Sequence, residues 1–499
     1  MPSLSLLAKA LPLLSATALA SASLPAKPSD LSTPMQVRIA VSGANSISVG
    51  WNTYQQLGSP CVSYGASADS LTQKSCSSKS DTYPSSRTWF HTVYLNNLTP
   101  ATKYFYKIES TNSTVEEFLS PRTAGDKTPF AINAIIDLGV YGEDGYTIQN
   151  DKAKRDLIPN IPPSLNHTTI KRLADTADDY EFIIHPGDLA YADDWVLRPK
   201  NLLDGKNAFQ AILEEFYGQL APVSSRKPYI VSPGNHEASC EEVPHTTWLC
   251  PSGQKNFTDF MTRFDGNMPS AFASTSKTDK AKVSANKAQQ LAKPPFWFSF
   301  EYGMAHIVMI NTETDFPAAP DGPDGSAGLN SGPFGGPQQQ LQFLEADLAS
   351  VDRTVTPWVV VAGHRPWYTT GGDECGPCQA AFEPLFYKYG VDLGVFGHVH
   401  NSQRFNPVYK NTQDPAGNKN PKAPMYIVSG GAGNIEGLSP VGSKPSYTAF
   451  AYADDFSYAT IRFQDAQNLT IDFYRSATGE LLDSSTLFKE HKDQFVVQN

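Results

Sequence analysis

The sequence predicts two folds in one chain: an all-β sandwich, followed by an α/β sandwich of two mixed sheets flanked by helices. Short runs of alternating apolar and polar residues fill positions 34–124. From Pro129 onward, buried apolar runs alternate with amphipathic segments of helical period, and the tail returns to strands. The chain has 499 residues, of which 40% are hydrophobic and 18% charged, which is enough for two or more hydrophobic cores.

The overall charge is acidic, with a formal net charge of −11 and a sequence pI of about 5.4. No basic stripe is present that would release counterions from phosphates, so we expect no nucleic-acid partner. Residues 1–22 combine a lone Lys9, a Leu/Ala-rich run too short to span a bilayer, and a small-residue cleavage site at 20–22. We therefore expect a signal peptide and, because no later stretch approaches eighteen apolar residues, a secreted chain with no membrane partner.

Sequons and cysteines agree with export. Five Asn-X-Ser/Thr sequons fit a glycoprotein, at Asn97, Asn112, Asn166, Asn256 and Asn468. The six cysteines form three close pairs, Cys61 with Cys76, Cys240 with Cys250, and Cys375 with Cys378. This spacing predicts three local disulfides in an oxidising compartment, with the connectivity left open. The Cys-Gly-Pro-Cys unit could also be a redox motif, but the missing thioredoxin context favours a structural clip.

The segment 34–124 is predicted to form the first sandwich, with candidate strands at 37–41, 46–51, 92–95 and 104–108. A Trp in an early strand is followed by spaced apolar and turn residues, namely Trp51, Leu95, Leu98, Pro100, Thr102, Tyr104 and Tyr106. This pattern resembles a fibronectin type III-like module. Because the segment contains no cluster of acids, His or Cys, we expect it to pack against the rest of the chain or to border substrate rather than to react.

The α/β segment is predicted from buried strands that alternate with helices. Candidate strands are 130–137, 182–186, 229–233, 297–311, 358–362, 393–396 and 425–428, and candidate helices are 208–220, 337–349 and 380–389. The Ser/Ala/Lys-rich stretch 270–293 and the Gly/Pro/Ala-rich stretch 317–337 are expected to be surface loops or lids with little fixed structure. Tail strands at 459–463, 469–474 and 486–488 are expected to finish a second sheet.

Five short sequences place metal-capable side chains directly after an apolar strand. They are IIDLG with Asp137, HPGDLAY with Asp188 and Tyr191, VSPGNHE with Asn235 and His236, VVVAGH with His364, and VFGHVH with His398 and His400. A single His after a strand is usually a hydrogen-bonded structural residue. Turn chemistry does not explain five such motifs in one chain, because Gly is enough to make the tight turn and the metal-capable side chain that follows it is not needed for the turn. The pattern predicts a metal site where ligands bind in open α/β sheets, at the carboxyl ends of the strands.

The donor set indicates two metal ions. Seven donors are too many for one tetrahedral ion and suit two ions about 3.5 to 4 Å apart that share a carboxylate. Phenolate and carboxylate oxygens favour a hard trivalent ion such as Fe(III), whereas imidazole and an amide oxygen suit Zn(II), Fe(II) or Mn(II). Such a pair performs in-line displacement at phosphorus, with one ion generating hydroxide and both neutralising the phosphoryl oxygens.

Together these motifs resemble the purple acid phosphatases, members of the dinuclear metallophosphoesterase superfamily, and the GDxxY motif of Asp188 and Tyr191 is specific to that family. The resemblance covers nearly the whole mature chain. It implies a fibronectin type III-like domain at 34–124, a catalytic metallophosphoesterase domain at 128–435, and C-terminal strands that complete it at 436–499.

The resemblance also implies a role for each donor. Fe(III) would be held by Asp137, Tyr191 and His400, the divalent ion by Asn235, His364 and His398, and Asp188 would bridge the two. Tyr191 would give the purple charge-transfer colour. His236 is similar to the family's catalytic His, which contacts phosphate and can protonate the leaving alkoxide, although it could instead orient a ligand.

Other polar residues near the motifs have less defined roles. Asp193 and Glu237 are expected to hold a ligand His or water in place. Arg365 either clamps a phosphate oxygen or packs on Trp367. Three further histidines are expected to be structural, at His185, His245 and His306.

The chain departs from plant members of the family in two places. After HRPWY, where plant enzymes often carry a His pair, this sequence has GGDEC, so Asp373 and Glu374 are expected to face substrate and to disfavour highly anionic esters. After GHVH, Ser402 and Gln403 stand where plant enzymes usually have Tyr and Glu. Neither change touches a proposed ligand.

The resemblance thus implies a secreted acid phosphatase that hydrolyses phosphate monoesters of small molecules by attack of a metal-bound hydroxide at a dinuclear Fe(III)–M(II) centre. A phosphodiesterase or nucleotidase, or a phytate-degrading enzyme, on the same scaffold is the alternative, and the phenol of Tyr191 argues against the diesterase. A non-enzymatic adhesion or binding glycoprotein is a further alternative, against which the complete ligand set argues. The oligomeric state is left open.

Overall fold

The computed structural model of the chain describes residues 24–140, 168–197, 204–240, 250–269 and 274–498. An N-terminal all-β domain precedes a mixed α/β domain, as the sequence predicts. The expected signal peptide at 1–22, the sequon at Asn166 and the predicted structural His245 lie outside the described residues.

The N-terminal domain consists of two four-stranded antiparallel sheets. Its strands are β1 (Met35–Gly43), β2 (Ser46–Thr53), β3 (Cys61–Gly65), β4 (Gln73–Cys76), β5 (Ser80–Asp81), β6 (Trp89–Leu95), β7 (Lys103–Ile108) and β8 (Glu116–Leu119). One sheet has the order β1-β2-β6-β5 and the other β4-β3-β7-β8. Alternate residues along β2, Ile47, Val49 and Trp51, are fully buried, as the period of two in a sandwich strand requires.

Buried polar groups bond the N-terminal domain to the α/β domain. Arg38 of β1 donates from Nη2 to the carbonyl of Arg263 at 2.9 Å. Ser48 donates from Oγ to the carbonyl of Asn267 at 2.7 Å, and the Tyr54 hydroxyl donates to Glu214 at 2.7 Å. Because these groups are buried, each bond offsets a desolvation cost, and the contact fixes the orientation of the two domains.

The α/β domain contains two mixed sheets. Its strands are β9 (Phe130–Ala134), β10 (Phe182–Pro186), β11 (Tyr229–Ser232), β12 (Phe298–Tyr302), β13 (Ala305–Met309), β14 (Trp358–Ala362), β15 (Leu393–Phe396), β16 (Ser402–Phe405), β17 (Val408–Tyr409), β18 (Thr412–Gln413), β19 (Met425–Ser429), β20 (Thr448–Tyr452), β21 (Ser457–Phe463), β22 (Asn468–Arg475) and β23 (Leu481–Phe488). The first sheet has the order β11-β10-β9-β21-β22-β23 and the second β12-β13-β14-β15-β19-β16-β20. The tail strands β21 to β23 therefore finish a sheet, as predicted.

The two sheets face each other across a shared core. Phe182 of β10 contacts Phe300 and Tyr302 of β12 edge-on, with ring centroids 5.8 and 4.9 Å apart. The two sheets are also joined by a hydrogen bond, in which Ser429 of β19 donates from Oγ to the carbonyl of Ala134 of β9 at 2.8 Å. Strands β9 to β11 are parallel, as are β13, β14, β15 and β19, so the carboxyl ends of both sets reach one edge of the sandwich.

Helices cover the sandwich: α1 (Thr168–Asp175), α2 (Gly205–Ser224), α3 (Thr258–Phe264), α4 (Asp279–Leu291), α5 (Gln339–Ser350) and α6 (Gly376–Lys388). The expectation that 270–293 has little fixed structure is wrong, because α4 occupies most of it. This helix buries only small side chains, Ala281, Ala285 and Ala288, which the apolar pattern of large residues does not detect. The stretch 317–337 has turns but neither helix nor strand, in agreement with the prediction.

Two predicted strands have different limits. The predicted strand 297–311 is a hairpin, since Gly303, with φ of +55°, turns the chain between β12 and β13. The predicted strand 130–137 ends at Ala134, and the residues that follow leave the ladder. Short elements that the sequence did not reveal are β3 to β5, β8, β16 to β18, β20, α1 and α3.

The three predicted disulfides are present, joining Cys61 to Cys76, Cys240 to Cys250, and Cys375 to Cys378. Of the sequon asparagines, Asn97, Asn112 and Asn256 are exposed, and Asn468 is half-buried with its amide donating to Asp465 at 3.0 Å. None of the helices in the described ranges has the length and apolar character that crossing a bilayer requires.

Candidate metal centre

All seven predicted ligands lie at the edge where the parallel strands end. Four of them have left-handed backbone conformations, which residues other than Gly rarely adopt. The φ angles are +60° at Asp137, +52° at Asp188, +53° at Tyr191 and +65° at His398. Such strain persists only where the surroundings fix it, and it concentrates at functional sites. The sharp turns aim these side chains back over the ends of the sheets.

One group of ligands comes from the segments that follow β9, β10 and β15. The Tyr191 hydroxyl lies 2.8 Å from His400 Nε2, 3.2 Å from Asp137 Oδ1 and 3.4 Å from Asp188 Oδ2. Ligand atoms of Asp137, Asp188 and His400 all lie within 4.8 Å of one another. One ion could contact all four side chains.

The second group shares Asp188. His364 Nε2 lies 3.0 Å from Asp188 Oδ2 and 2.9 Å from Asn235 Oδ1. Ligand atoms of Asp188, His364 and His398 lie within 4.8 Å of one another. Asp188 therefore lies between a phenol, carboxylate and imidazole set on one side and an amide and imidazole set on the other, which is the arrangement expected of a bridging ligand.

Burial and packing fit these residues to cations. Asp137, Asp188 and His364 are fully buried, and Asp137 Oδ2 has no hydrogen-bond partner among the described residues. Glycine leaves room beside that oxygen, since a Cβ on Gly397 would lie 2.7 Å from it and one on Gly430 2.5 Å from it. An orphaned carboxylate oxygen in a space kept clear by glycines is suited to coordination.

The pKa shifts of Asp137, Asp188 and Tyr191 indicate that positive charge would stabilise this group of side chains. Burial raises the pKa of Asp137 well above its usual range, although the His364 imidazole opposes the rise. Burial acts in the same direction on Asp188, but His364 and His236 hold the pKa of Asp188 well below its ordinary value. Burial and then the nearby carboxylates of Asp137 and Asp188 raise the pKa of Tyr191 well above its usual range. Cations at this point would stabilise all three anions at once.

His236 borders the ligands and is held by Asp193. Its Nδ1 lies 2.9 Å from both carboxylate oxygens of Asp193, and its ring packs on Tyr191 with centroids 4.2 Å apart. Its Nε2 lies 3.8 Å from both Asp188 Oδ2 and Glu436 Oε1. Burial lowers the pKa of His236, but Asp193 and Asp188 outweigh burial and raise it well above the usual range. The protonated imidazole is thus favoured beside the ligand set.

Glu237 joins two ligand loops rather than holding a ligand His. Its carboxylate accepts from the backbone N–H groups of Asp188, Leu189 and Gly234 at 2.8 to 2.9 Å. Burial and then the charge of Asp188 raise the pKa of Glu237 to about 8. The sequence predicts that Glu237 holds a ligand His or water in place; in the described residues its oxygens accept from backbone N–H groups and from no ligand His.

Arg365 neither points freely at the cleft nor stacks on Trp367. Its Nε donates to Glu313 at 2.6 Å, and its Nη1 lies 3.0 Å from His398 Nε2. Trp367 instead contacts rings including Phe396, with centroids 4.6 Å apart. Arg365 is therefore placed to orient His398. Glu313, which sequence reasoning missed, follows β13 in the same strand-end pattern as the ligands and could have been found by it.

A cleft of about 370 Å³ opens above the ligands, lined by Asp188, Asn235, His236, Asp373, His398, His400, Glu436, Gly437, Leu438 and Ser439. Asp373 lines it as predicted, whereas Glu374 is not among the lining residues and accepts from Thr369 Oγ1 at 3.2 Å. Sequence reasoning missed Glu436, which lies 3.8 Å from His400 Nδ1 in the Gly-rich segment after β19. That segment has no apolar strand directly before the acid and gave no signal.

Two of the histidines expected to be structural bind buried partners. His185 Nδ1 lies 2.7 Å from the Tyr229 hydroxyl, and burial lowers the pKa of His185 to about 3. His306 Nε2 lies 2.8 Å from Asp347. Both arrangements support a structural role.

The sequence matches three family descriptions. Residues 34–123 match the Purple acid Phosphatase, N-terminal domain, residues 164–402 match the Calcineurin-like phosphoesterase family, and residues 423–484 match Iron/zinc purple acid phosphatase-like protein C.

Related proteins and one related structure agree with these matches. The chain is 64% identical to Acid phosphatase A of Cryphonectria parasitica over 496 residues, covering 98% of each. It is 29% identical to an acid phosphatase of Aspergillus ficuum, covering 80% of this chain and 76% of that protein. Purple acid phosphatase PPD1 from yellow lupin seeds has the same fold, with a TM-score of 0.63 and 21% identity over 92% of this chain and 74% of the lupin chain.

Proposed function

Because the chain belongs to the purple acid phosphatase family and is a phosphatase, we propose that it is a secreted acid phosphatase that hydrolyses phosphate monoesters at a dinuclear Fe(III)–M(II) centre. One observation carries the proposal. Asp188 is shared by two ligand groups, and only one of these groups contains a phenol, within 2.8 to 3.4 Å of its partners.

The donors divide by chemical hardness. Asp137, Tyr191 and His400 would hold Fe(III), whereas Asn235, His364 and His398 would hold Zn(II), Fe(II) or Mn(II), with Asp188 bridging. The distances within each group support this division. When bound, the two ions would supply a nucleophile from water and neutralise the charge that develops on the phosphoryl oxygens.

The chain's own residues position substrate and move the proton. His236 lies at the cleft with Nδ1 donating to Asp193, and its raised pKa favours the imidazolium, in which Nε2 also carries a proton that could pass to the leaving alkoxide oxygen. Glu237 fixes the loops that carry Asp188 and Asn235, and Arg365 fixes His398. These contacts pre-organise the site before an ester binds.

We propose export from three sequence features and one structural feature. The signal-like residues 1–22, the five sequons and the acidic composition agree with secretion. The three disulfides support an oxidising compartment.

The test combines metal content, colour and substrate range in purified protein. We expect about two metal ions per chain, one of them iron, a visible absorption band, and hydrolysis of p-nitrophenyl phosphate well above that of bis(p-nitrophenyl) phosphate. Tyr191→Phe should abolish the band. A colourless protein that is fully loaded and active would contradict the assignment of Tyr191, and faster diester turnover would favour the phosphodiesterase alternative.

A further inference from the structure

Asp373 lies at the rim of the cleft above the proposed metal ligands. Asp373 is exposed and lines the same cleft as His236, His398 and His400. Among the described residues that line this cleft none is Lys or Arg, and the described part of the chain provides no hydrogen bond or salt bridge to the Asp373 carboxylate. The carboxylate thus presents an unneutralised charge at the rim of the cleft.

The loop that carries Asp373 is fixed by its backbone. Gly371, Gly372 and Asp373 all have left-handed conformations, with φ of +98°, +117° and +68°. Gly371 touches the facing loop so closely that a Cβ on it would lie 2.9 Å from Gly442 Cα. A Cβ on Gly442 would lie 2.4 Å from Gly371 Cα, so Gly371 and Gly442 are both required for the two loops to meet, and this contact fixes the position of the loop that carries Asp373.

Side chains and a disulfide anchor both ends of this loop. The N–H of Thr370 donates to Gln403 Oε1 at 2.8 Å, and Thr369 Oγ1 donates to the carbonyl of Gly372 at 2.5 Å. Directly after the loop, Cys375 is bonded to Cys378 at the start of α6. Because each end is anchored, the backbone at Asp373 is fixed at the rim of the cleft.

The opposite wall contributes a different kind of acid. Glu436 lies 3.8 Å from both His236 Nε2 and His400 Nδ1, and its segment is tied to the ligands because Asn434 donates to the carbonyl of Asp137 at 3.1 Å. Two imidazoles thus lie beside the Glu436 carboxylate. Asp373 has no such partner among the described residues.

We propose that Asp373 determines specificity by the charge of the leaving group, favouring phosphate monoesters of cationic alcohols over those of anionic ones. This inference rests on the proposed function. Metal ions held by these ligands would bind the phosphoryl end of every substrate alike, so discrimination between substrates falls to charges near the other end. An exposed pair of unit charges contributes modestly, and we expect a change on the order of five-fold in the ratio of kcat/KM values.

The test uses three esters of similar size at constant pH and low salt: phosphoethanolamine, 2-hydroxyethyl phosphate and phosphoglycolate, whose leaving groups are cationic, neutral and anionic. The wild-type protein should favour the cationic over the anionic ester. Asp373→Asn should reduce that ratio about five-fold, since Asn also tolerates the left-handed conformation. Added KCl should reduce the wild-type ratio in the same direction, because salt screens exposed charges.

Glu374→Gln is the matched control, because it removes the adjacent carboxylate, which does not line the cleft, and it should keep the wild-type ratio. An unchanged ratio in Asp373→Asn, or a ratio that salt does not affect, would overturn the inference while hydrolysis of the neutral ester still supports the proposed function. If the wild-type protein does not hydrolyse the neutral ester, the proposed function fails and this inference fails with it.

Discussion

Replacing His236 with Gln should slow hydrolysis of an alkyl phosphate far more than that of an aryl phosphate. General acid catalysis by a positioned imidazole contributes about 10²- to 10⁴-fold, or about 3 to 5 kcal/mol of transition-state stabilisation. The full effect is expected here because Nδ1 is fixed by Asp193 and the ring packs on Tyr191, so Nε2 has one orientation. An aryl oxide is a good leaving group and needs little of this proton. Asp193→Asn should give a smaller loss of about 10- to 100-fold on the alkyl ester.

The assay compares kcat/KM for glycerol 2-phosphate and p-nitrophenyl phosphate, together with metal content by mass spectrometry. His306→Gln serves as the control, because that buried histidine binds Asp347 away from the cleft. Equal losses on both esters would refute the role of His236 as the acid. Loss of metal in His236→Gln would instead place the residue among the ligands.

Three further predictions concern metal, pH and stability. Asp188→Ala or Asn235→Ala should lower metal content as well as rate, which metal analysis checks, and either variant with full metal would contradict its ligand role. Activity should peak between roughly pH 4 and 6, because a trivalent ion makes a nucleophile available in acid and the leaving group needs a proton; a pH–rate profile flat to pH 8 would contradict this. Asp392→Asn should lower the free energy of unfolding by about 3 to 5 kcal/mol at pH 5 to 7, measured with urea, because it leaves the buried Arg353 without its counter-charge. Burial would raise the pKa of Asp392, but Arg353 and Lys489 hold it below the ordinary value, so its contribution is present above about pH 4 and is lost only in stronger acid; an unchanged midpoint for the variant would refute this.

Most of the candidate ligands could be predicted from the sequence because they directly follow predicted strands. Ligands such as Asp188 and His364 directly follow apolar strands and Gly, so their convergence followed from the sheet alone. Glu436 could not be found in this way, because it lies in an irregular segment whose path depends on tertiary contacts such as that of Asn434 with the carbonyl of Asp137. The sequence predicts that Arg365 clamps phosphate or packs on Trp367, but its bond to Glu313 sets the direction of its side chain, and local sequence patterns do not reveal pairwise contacts of that kind.

The fold shows the same division between pattern and context. Strands such as β10 and β14 have the predicted limits because they are buried on both faces and form continuous apolar runs. Helix α4 was missed because it packs through alanines, and the turn at Gly303 was missed because both arms of the hairpin are apolar. Both features depend on the space that neighbouring elements leave, which a local sequence pattern does not show.

The strand order of the first sheet governs how the protein is made in the cell. β9 lies between β10 and β21, yet β21 is translated near the end of synthesis, on the order of tens of seconds later at ribosomal rates. The N-terminal sandwich, whose strands all lie between Met35 and Leu119, can form while translation continues. The nascent second domain, by contrast, exposes the apolar edge of β9 until the tail emerges, so we expect chaperone protection and the integrity of the last strands to decide whether Asp137 reaches its place among the ligands.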